Sequence, residues 1–326
     1  MSGSPRRPRV LITNRVHPDT EAYLHRFCDP VLNPDSEPYS RNELLERCAD
    51  VEGLMVFMND HVDESFLEQC PKLEVISAAL KGFDNFDLEA IRLRKIHFAY
   101  VPDLLTVPTA ELTLGLMISL ARNVPAGDDM IREQRFPGWR PLLYGTGLQG
   151  EQACIWGMGQ VGQALASRLV ACGMKVCYVD SQRLPEQREQ EFGLQFADLA
   201  EALPNSRYLI PFVPLTPETL HMINREILEQ LPPQAYLINC CRGSVVRESD
   251  VADLLESGWL QGYAADVFEM EDWALDTRPR EVDPRLLAMK ERTLFTPHLG
   301  SAVMRVRREI SLQAARNLEA WFSGRS

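Results

Sequence analysis

Three side chains able to hold an anion and move a proton each follow an apolar run in the second half of the chain. Arg242 comes after Tyr236–Asn239 in NCCRGSVV, Glu271 after Tyr263–Phe268 in YAADVFEME, and His298 after Thr293–Phe295 in TPHLGSA. A guanidinium is a planar fork that binds carboxylate or phosphate-like oxygens through two parallel hydrogen bonds. An imidazole can take up and return a proton near neutral pH. A carboxylate beside it fixes the ring and favours the imidazolium. Taken singly, each has a plainer explanation: a structural histidine, a helix-capping arginine, a surface acid in the cluster with Glu269 and Asp272. At the ends of three parallel strands they would share one edge, and together they suit removal of a hydride and a proton from a small anion.

A hydride needs an acceptor, and the stretch Ala153–Asp180, ACIWGMGQVGQALASRLVACGMKVCYVD, has the form of a site for one. It reads as strand, glycine turn, helix, strand, acid. Gly157 permits the tight turn, Gly159 lets backbone approach a pyrophosphate, and Gly162 lets the helix sit on the strand. The helix start presents free N–H groups to the phosphates. Asp180 is placed to accept hydrogen bonds from the adenosine ribose, which favours NAD; NADP remains possible at lower preference. Arg183 stands close enough to soften that preference, and its composition-level reading is a solvated surface charge.

These motifs need a scaffold, and the chain alternates strand-like and helix-like runs from end to end. Arg9–Thr13, Val51–Met58, Leu73–Ala79 and Phe98–Val101 read as strands, with helices at Asn42–Cys48 and Glu64–Cys70 between them. Such alternation implies parallel sheets with helices on both faces. Lys81 and Gly82 lie just beyond a strand in AALKGFDNFD, where open α/β sheets place ligands. Pro102–Pro108 reads as a linker. Thr109–Arg122 reads as a helix apolar on most sides, hence buried within the domain or against a second subunit, and Gly127–Gly147, richer in polar and aromatic residues, as an excursion before the glycine turn. The polar run from Asp180 to Glu191 reads as a solvated loop or helix, and Ser301–Ser323 as a long closing helix.

The bulk composition bounds the rest. A chain of 326 residues, 45% hydrophobic and 25% charged, suggests two globular domains. A net charge of −12 argues against a nucleic-acid surface, and an anionic substrate would need local cations. The eight cysteines show no CxxC metal spacing and several sit in apolar runs, as reduced cytoplasmic thiols do. No apolar run approaches the roughly 18 residues of a membrane span, and no secretory signal is expected.

GMGQVG, VPLTPET, NCCRGSVV, YAADVFEME and TPHLGSA together resemble the D-isomer-specific 2-hydroxyacid dehydrogenase family over essentially the whole chain. More narrowly, ALKGFDNFD, VPDLLTVPTAEL, GWRPLLYGTGL and GYAADVFEMEDW resemble its phosphite-oxidising subgroup. The resemblance implies two doubly wound α/β domains: a Rossmann NAD-binding domain, 105–299, inserted into a smaller flavodoxin-like lid domain, 1–104 with 300–326. It implies an active site in the cleft and a homodimer using the helix after Thr109. It assigns substrate anchoring to Arg242, acid–base work to His298 and orientation of that ring to Glu271. Lys81, Gly82, Met58 and Arg307 carry over as substrate contacts. Thr109, Gln160, Val161, Val213, Pro214, Cys240, Asp266 and His298 carry over as cofactor contacts beside the three glycines and Asp180. No metal is implied.

The expected reaction is oxidation of phosphite to phosphate, with His298 activating water and the lysine, Arg242 and Arg307 holding the dianion. The alternatives are a D-2-hydroxyacid dehydrogenase, in which His298 exchanges a proton with a hydroxyl or carbonyl, and an NAD-binding corepressor-like scaffold.

Overall fold

The computed structural model describes residues 6–324. The chain forms two compact units, Met1–Leu105 with Ala302–Ser326, and Thr106–Ser301. The first holds five strands: β1 (Arg9–Ile12), β2 (Asp29–Val31), β3 (Gly53–Val56), β4 (Val75–Ala78) and β5 (His97–Tyr100). They are parallel and ordered β2-β1-β3-β4-β5. β3 and β4 are buried at every position, as parallel strands covered on both faces must be. One face packs on Leu44, Phe66, Leu67 and Ile91. The other packs on the closing helix Met304–Ser323 through Val306, Ile310, Ala314 and Leu318. Ser77 Oγ donates to the Ala314 carbonyl at 2.9 Å, so the C-terminal helix is tied to the N-terminal sheet.

The second unit holds β6 (Gln152–Trp156), β7 (Lys175–Val179), β8 (Leu194–Phe196), β9 (Tyr208–Pro211), β10 (Ala235–Asn239), β11 (Leu260–Ala265) and β12 (Thr293–Phe295). The order is β12-β11-β10-β9-β6-β7-β8, again parallel throughout. Chain direction across the sheet reverses between β6 and β9, the crevice where doubly wound sheets bind ligands. Both units are therefore parallel α/β sheets, as the alternation of runs implies.

One local expectation fails for an identifiable reason, and three others are refined. The stretch read as a linker already turns into helix at Thr106, because Pro108 lies in the first turn, where an N–H has no intrahelical partner to lose. That helix, Thr106–Ala121, is buried along one side through Leu116, Met117 and Leu120, while Val107 is 48% and Ile118 38% exposed, so that burial within its own unit accounts for only part of its apolar surface. The excursion after it opens with a helix, Val124–Arg132, started by a proline at its second position. The polar run after Asp180 holds a helix, Glu186–Phe192, one of its two expected forms, but Glu189 within it is buried rather than solvated. Among the described residues no helix is long and apolar enough to cross a membrane, and no cluster of His, Cys, Asp or Glu could hold a metal.

Candidate active site

The glycine turn after β6 is shaped by what a methyl group would hit. Gly157 has φ +108°, and a Cβ there would lie 2.4 Å from the Phe212 carbonyl oxygen and 3.2 Å from the Val213 side chain. A Cβ on Gly162 would lie 2.3 Å from the Gly157 carbonyl oxygen. These two glycines let the turn and helix close on the sheet. Gly159 differs: it is extended, and nothing lies within 4 Å of where its Cβ would be. It is the N-cap of the helix Gln160–Ala171, and no side chain caps that helix. Open space before uncapped helix amides is the fit a pyrophosphate requires. Gln160 and Val161 form the first turn, and the Gln160 side chain accepts from Thr106 Oγ1 at 3.3 Å. Asp180 directly follows β7 and accepts from the Met158 amide at 2.6 Å, which holds its carboxylate against the glycine turn. The residues present thus fit a dinucleotide with a free ribose diol.

Val213 and Pro214 follow β9 on the same edge. Cys240 follows β10, but its side chain is buried in the core with Ala110 and Met117, and burial pushes its thiol up. Thr109 packs against Gly300, where a Cβ would lie 3.2 Å from the Thr109 hydroxyl and 3.3 Å from the Asp266 carboxylate.

His298 and Glu271 meet: Nδ1 lies 2.7 Å from Glu271 Oε2. The other carboxylate oxygen, Oε1, accepts the Phe268 amide at 2.8 Å, so the acid is held by its own turn while it holds the ring. His298 sits at φ +55°, an uncommon backbone for a non-glycine residue. Asp266 sustains it. Its carboxylate accepts from Thr296 Oγ1 at 2.5 Å, the Leu299 amide at 2.7 Å and the Gly300 amide at 2.7 Å. The His298 amide donates to the Asp266 carbonyl at 2.8 Å. With Nδ1 turned to Glu271, Nε2 is the nitrogen left for chemistry.

Arg242 lies on the loop after β10. Asn239 shapes that loop, donating to the Arg242 carbonyl at 2.9 Å and accepting the Cys241 amide at 3.1 Å. The next residue, Gly243, packs so closely on the Phe268–Glu269 peptide that a Cβ would lie 1.9 Å from the Phe268 carbonyl carbon. The Arg242 loop and the Glu271 turn are therefore in direct contact.

The acids around Glu271 are not the surface cluster that their number suggests. Asp272 is 4% exposed and accepts the Ser244 amide at 2.7 Å. Glu269 is 8% exposed and exchanges bonds with Glu248: each carboxylate accepts the other's amide, at 2.7 and 2.9 Å. Glu269 Oε2 also faces His221 Nε2 at 3.2 Å. Burial pushes Glu248 up to about 7. Sequence reasoning missed Asn239, Glu248, Glu269 and His221 as supports, because a supporting carboxylate and a solvated one look alike until their neighbours are known.

The remaining candidates belong to the first unit. Lys81 and Gly82 are half-buried just past β4. Met58 and Arg307 line one cavity of about 500 Å³ with Asn14, Arg15, His17 and Asn59. Arg307 stacks its guanidinium 6.0 Å from the Phe57 ring, and burial pulls its pKa below the usual arginine value.

Comparison with known proteins points one way. The sequence profile described as D-isomer specific 2-hydroxyacid dehydrogenase, NAD binding domain, matches residues 114–300. Over 323 residues the chain is 35% identical to the glyoxylate reductase of Thermococcus litoralis, covering 98% of this chain and 95% of that one. It matches the solved structure of the TT0316 protein of Thermus thermophilus with TM-score 0.86 and 32% identity, over 97% of each chain. It also matches the NADPH-dependent glyoxylate/hydroxypyruvate reductase of Sinorhizobium meliloti, solved with NADP and malonate, with TM-score 0.82 and 27% identity over 97% and 94% of the two chains.

Proposed function

The chain belongs to the D-isomer-specific 2-hydroxyacid dehydrogenase family, and on that premise we propose that it interconverts a small 2-hydroxy acid and its 2-oxo acid, of glyoxylate size, with NAD. Bound NAD supplies the hydride acceptor. Arg242 would hold the substrate carboxylate through its fork. His298 Nε2 would take the hydroxyl proton as hydride leaves, and return it in the reducing direction. Glu271 would keep the ring oriented and stabilise its charged form. The balanced reaction is 2-hydroxy acid + NAD⁺ → 2-oxo acid + NADH + H⁺. The observation that carries the reading is the 2.7 Å contact of His298 Nδ1 with Glu271, which supports a role for the opposite nitrogen toward substrate.

The expected reading of phosphite as substrate gives way to second place, because the named relatives are glyoxylate reductases. It keeps one specific support. Phosphite is a dianion and needs more positive charge than a monocarboxylate, and the first unit offers Lys81 and a half-buried Arg307 beside Met58. In that reading His298 would deprotonate water instead: phosphite + NAD⁺ + water → phosphate + NADH + H⁺. NADH absorbance decides between them. Oxidation of added NADH by glyoxylate, with slower turnover on phosphite, supports the first reading. NADH formation from phosphite with none from D-glycerate or D-lactate, lost in Lys81→Ala, supports the second. Silence with every substrate, with NAD binding intact, would favour the scaffold alternative.

Self-association belongs to the same proposal. Val107, Ile118, Val124, Ile131, Trp139 and Tyr144 leave apolar surface exposed on and after the helix Thr106–Ala121, Trp139 at 86% and Tyr144 at 81%. Such surface fits a homodimer. Light scattering should give a dimer mass, and Ile131→Asp with Trp139→Ser should give a monomer.

A further inference from the structure

The adenosine end of the nucleotide site holds a feature that the usual ribose acid does not explain. Arg183 stands three residues past Asp180, where an arginine can accommodate the 2′-phosphate of NADP. Here its fork is already taken. Nε and Nη2 donate to Glu189 Oε1 and Oε2 at 2.9 and 2.7 Å, a bidentate pair. Glu189 comes from the helix Glu186–Phe192 and is 6% exposed. Its Oε1 also accepts the Tyr178 hydroxyl at 2.6 Å, and that hydroxyl accepts the Leu184 amide at 2.8 Å. Tyr178 is fully buried in β7, the strand that leads into Asp180. The guanidinium carbon lies 5.5 Å from the centre of the Phe196 ring. The cation is thus fixed by a buried acid, which is itself fixed by the strand.

We propose that Glu189 is a specificity-determining residue for the cofactor, withholding the Arg183 guanidinium from a 2′-phosphate while Asp180 repels that phosphate. The preference for NAD then has two layers. Removing the first acid exposes the ribose site but leaves the cation latched. Arg183 and Tyr178 hold the Glu189 carboxyl down at about 2, so the latch stays charged across the working pH range. The inference rests on the NAD-binding assignment and not on the choice of substrate.

Equilibrium binding tests it on the full chain, by calorimetric titration with NAD⁺ and with 2′,5′-ADP. Asp180→Ser alone should improve 2′,5′-ADP binding modestly. Adding Glu189→Gln, which keeps an acceptor for Tyr178, should tighten it by about ten-fold further, the worth of one freed charge-assisted contact. Adding Arg183→Ala to that pair should cancel the gain. In the Asp180→Ser background alone, Arg183→Ala should change nothing, because the latched side chain is not in use. This exposed substitution keeps the proposal testable even where Glu189→Gln unfolds its helix. The proposal is overturned by a Glu189→Gln that leaves 2′,5′-ADP binding where Asp180→Ser put it, by a gain that survives Arg183→Ala, or by an Arg183→Ala that weakens 2′,5′-ADP binding with Glu189 intact. Loss of NAD⁺ binding in the unsubstituted chain would instead remove the NAD assignment itself.

Discussion

The two sheets reach the carboxyl end of their first strands in the same way and treat it oppositely. Beyond β1, Thr13 Oγ1 donates to Asp60 at 2.5 Å, and the Phe57 amide past β3 donates to the same carboxylate oxygen at 2.7 Å. Asp60 is 2% exposed. An internal acid has claimed the donors at that switch point, and its charge would repel a phosphate. Beyond β6, three glycines leave the amides of a helix start uncovered and the space before Gly159 open. Strand order alone therefore does not make a dinucleotide site. The side chains at the reversal of the sheet do, by occupying its backbone donors or by leaving them exposed.

The strongest break would come at the chemical end of the second sheet. His298→Asn should lower kcat by about 10²–10⁴, the usual contribution of a positioned acid–base group, with NAD⁺ affinity kept. Steady-state rates beside a binding titration check it, and ordinary turnover would require another base. The glycines sharpen the comparison next. Gly157→Ala places a methyl against the Phe212 carbonyl at positive φ and should cost several kcal/mol of stability along with NAD⁺ binding. Gly159→Ala meets open space, so it should fold normally and lose only NAD⁺ affinity. Melting curves with and without NAD⁺ separate the two outcomes; equal destabilisation by both would undo the distinction.

The smallest effect belongs to the first sheet and depends on pH. Burial pushes Asp60 up from 3.8 to about 6. The folded state then keeps a proton that the unfolded chain has released, so stability is highest below the ordinary value and falls as pH rises toward 6. Asp60→Asn should remove a slope worth on the order of 3 kcal/mol over that window and leave NAD⁺ binding alone. Hydrogen exchange of the β1 and β3 amides between pH 4 and 7 measures it in the right unit. Glu248, raised to about 7, adds a slope of the same sign in the other unit, which should persist in this variant.

Much of this was written in local pattern. The glycine spacing, the acid after β7, and the arginine, glutamate and histidine after β10, β11 and β12 are each short-range features, and alternating runs gave the parallel α/β class. Chain-local chemistry is legible because a strand, a turn and a helix start are each set by neighbours in sequence. What the tertiary structure alone decided is the pairing of distant charges. Glu269 and Asp272 look like solvated acids in FEMED, yet each is buried on backbone amides from another loop. Arg183 looks like a free surface cation, yet Glu189 holds both prongs of its fork. A charged residue's role depends on which opposite charge or amide faces it and how much water remains between them. Both are fixed only when the chain has folded.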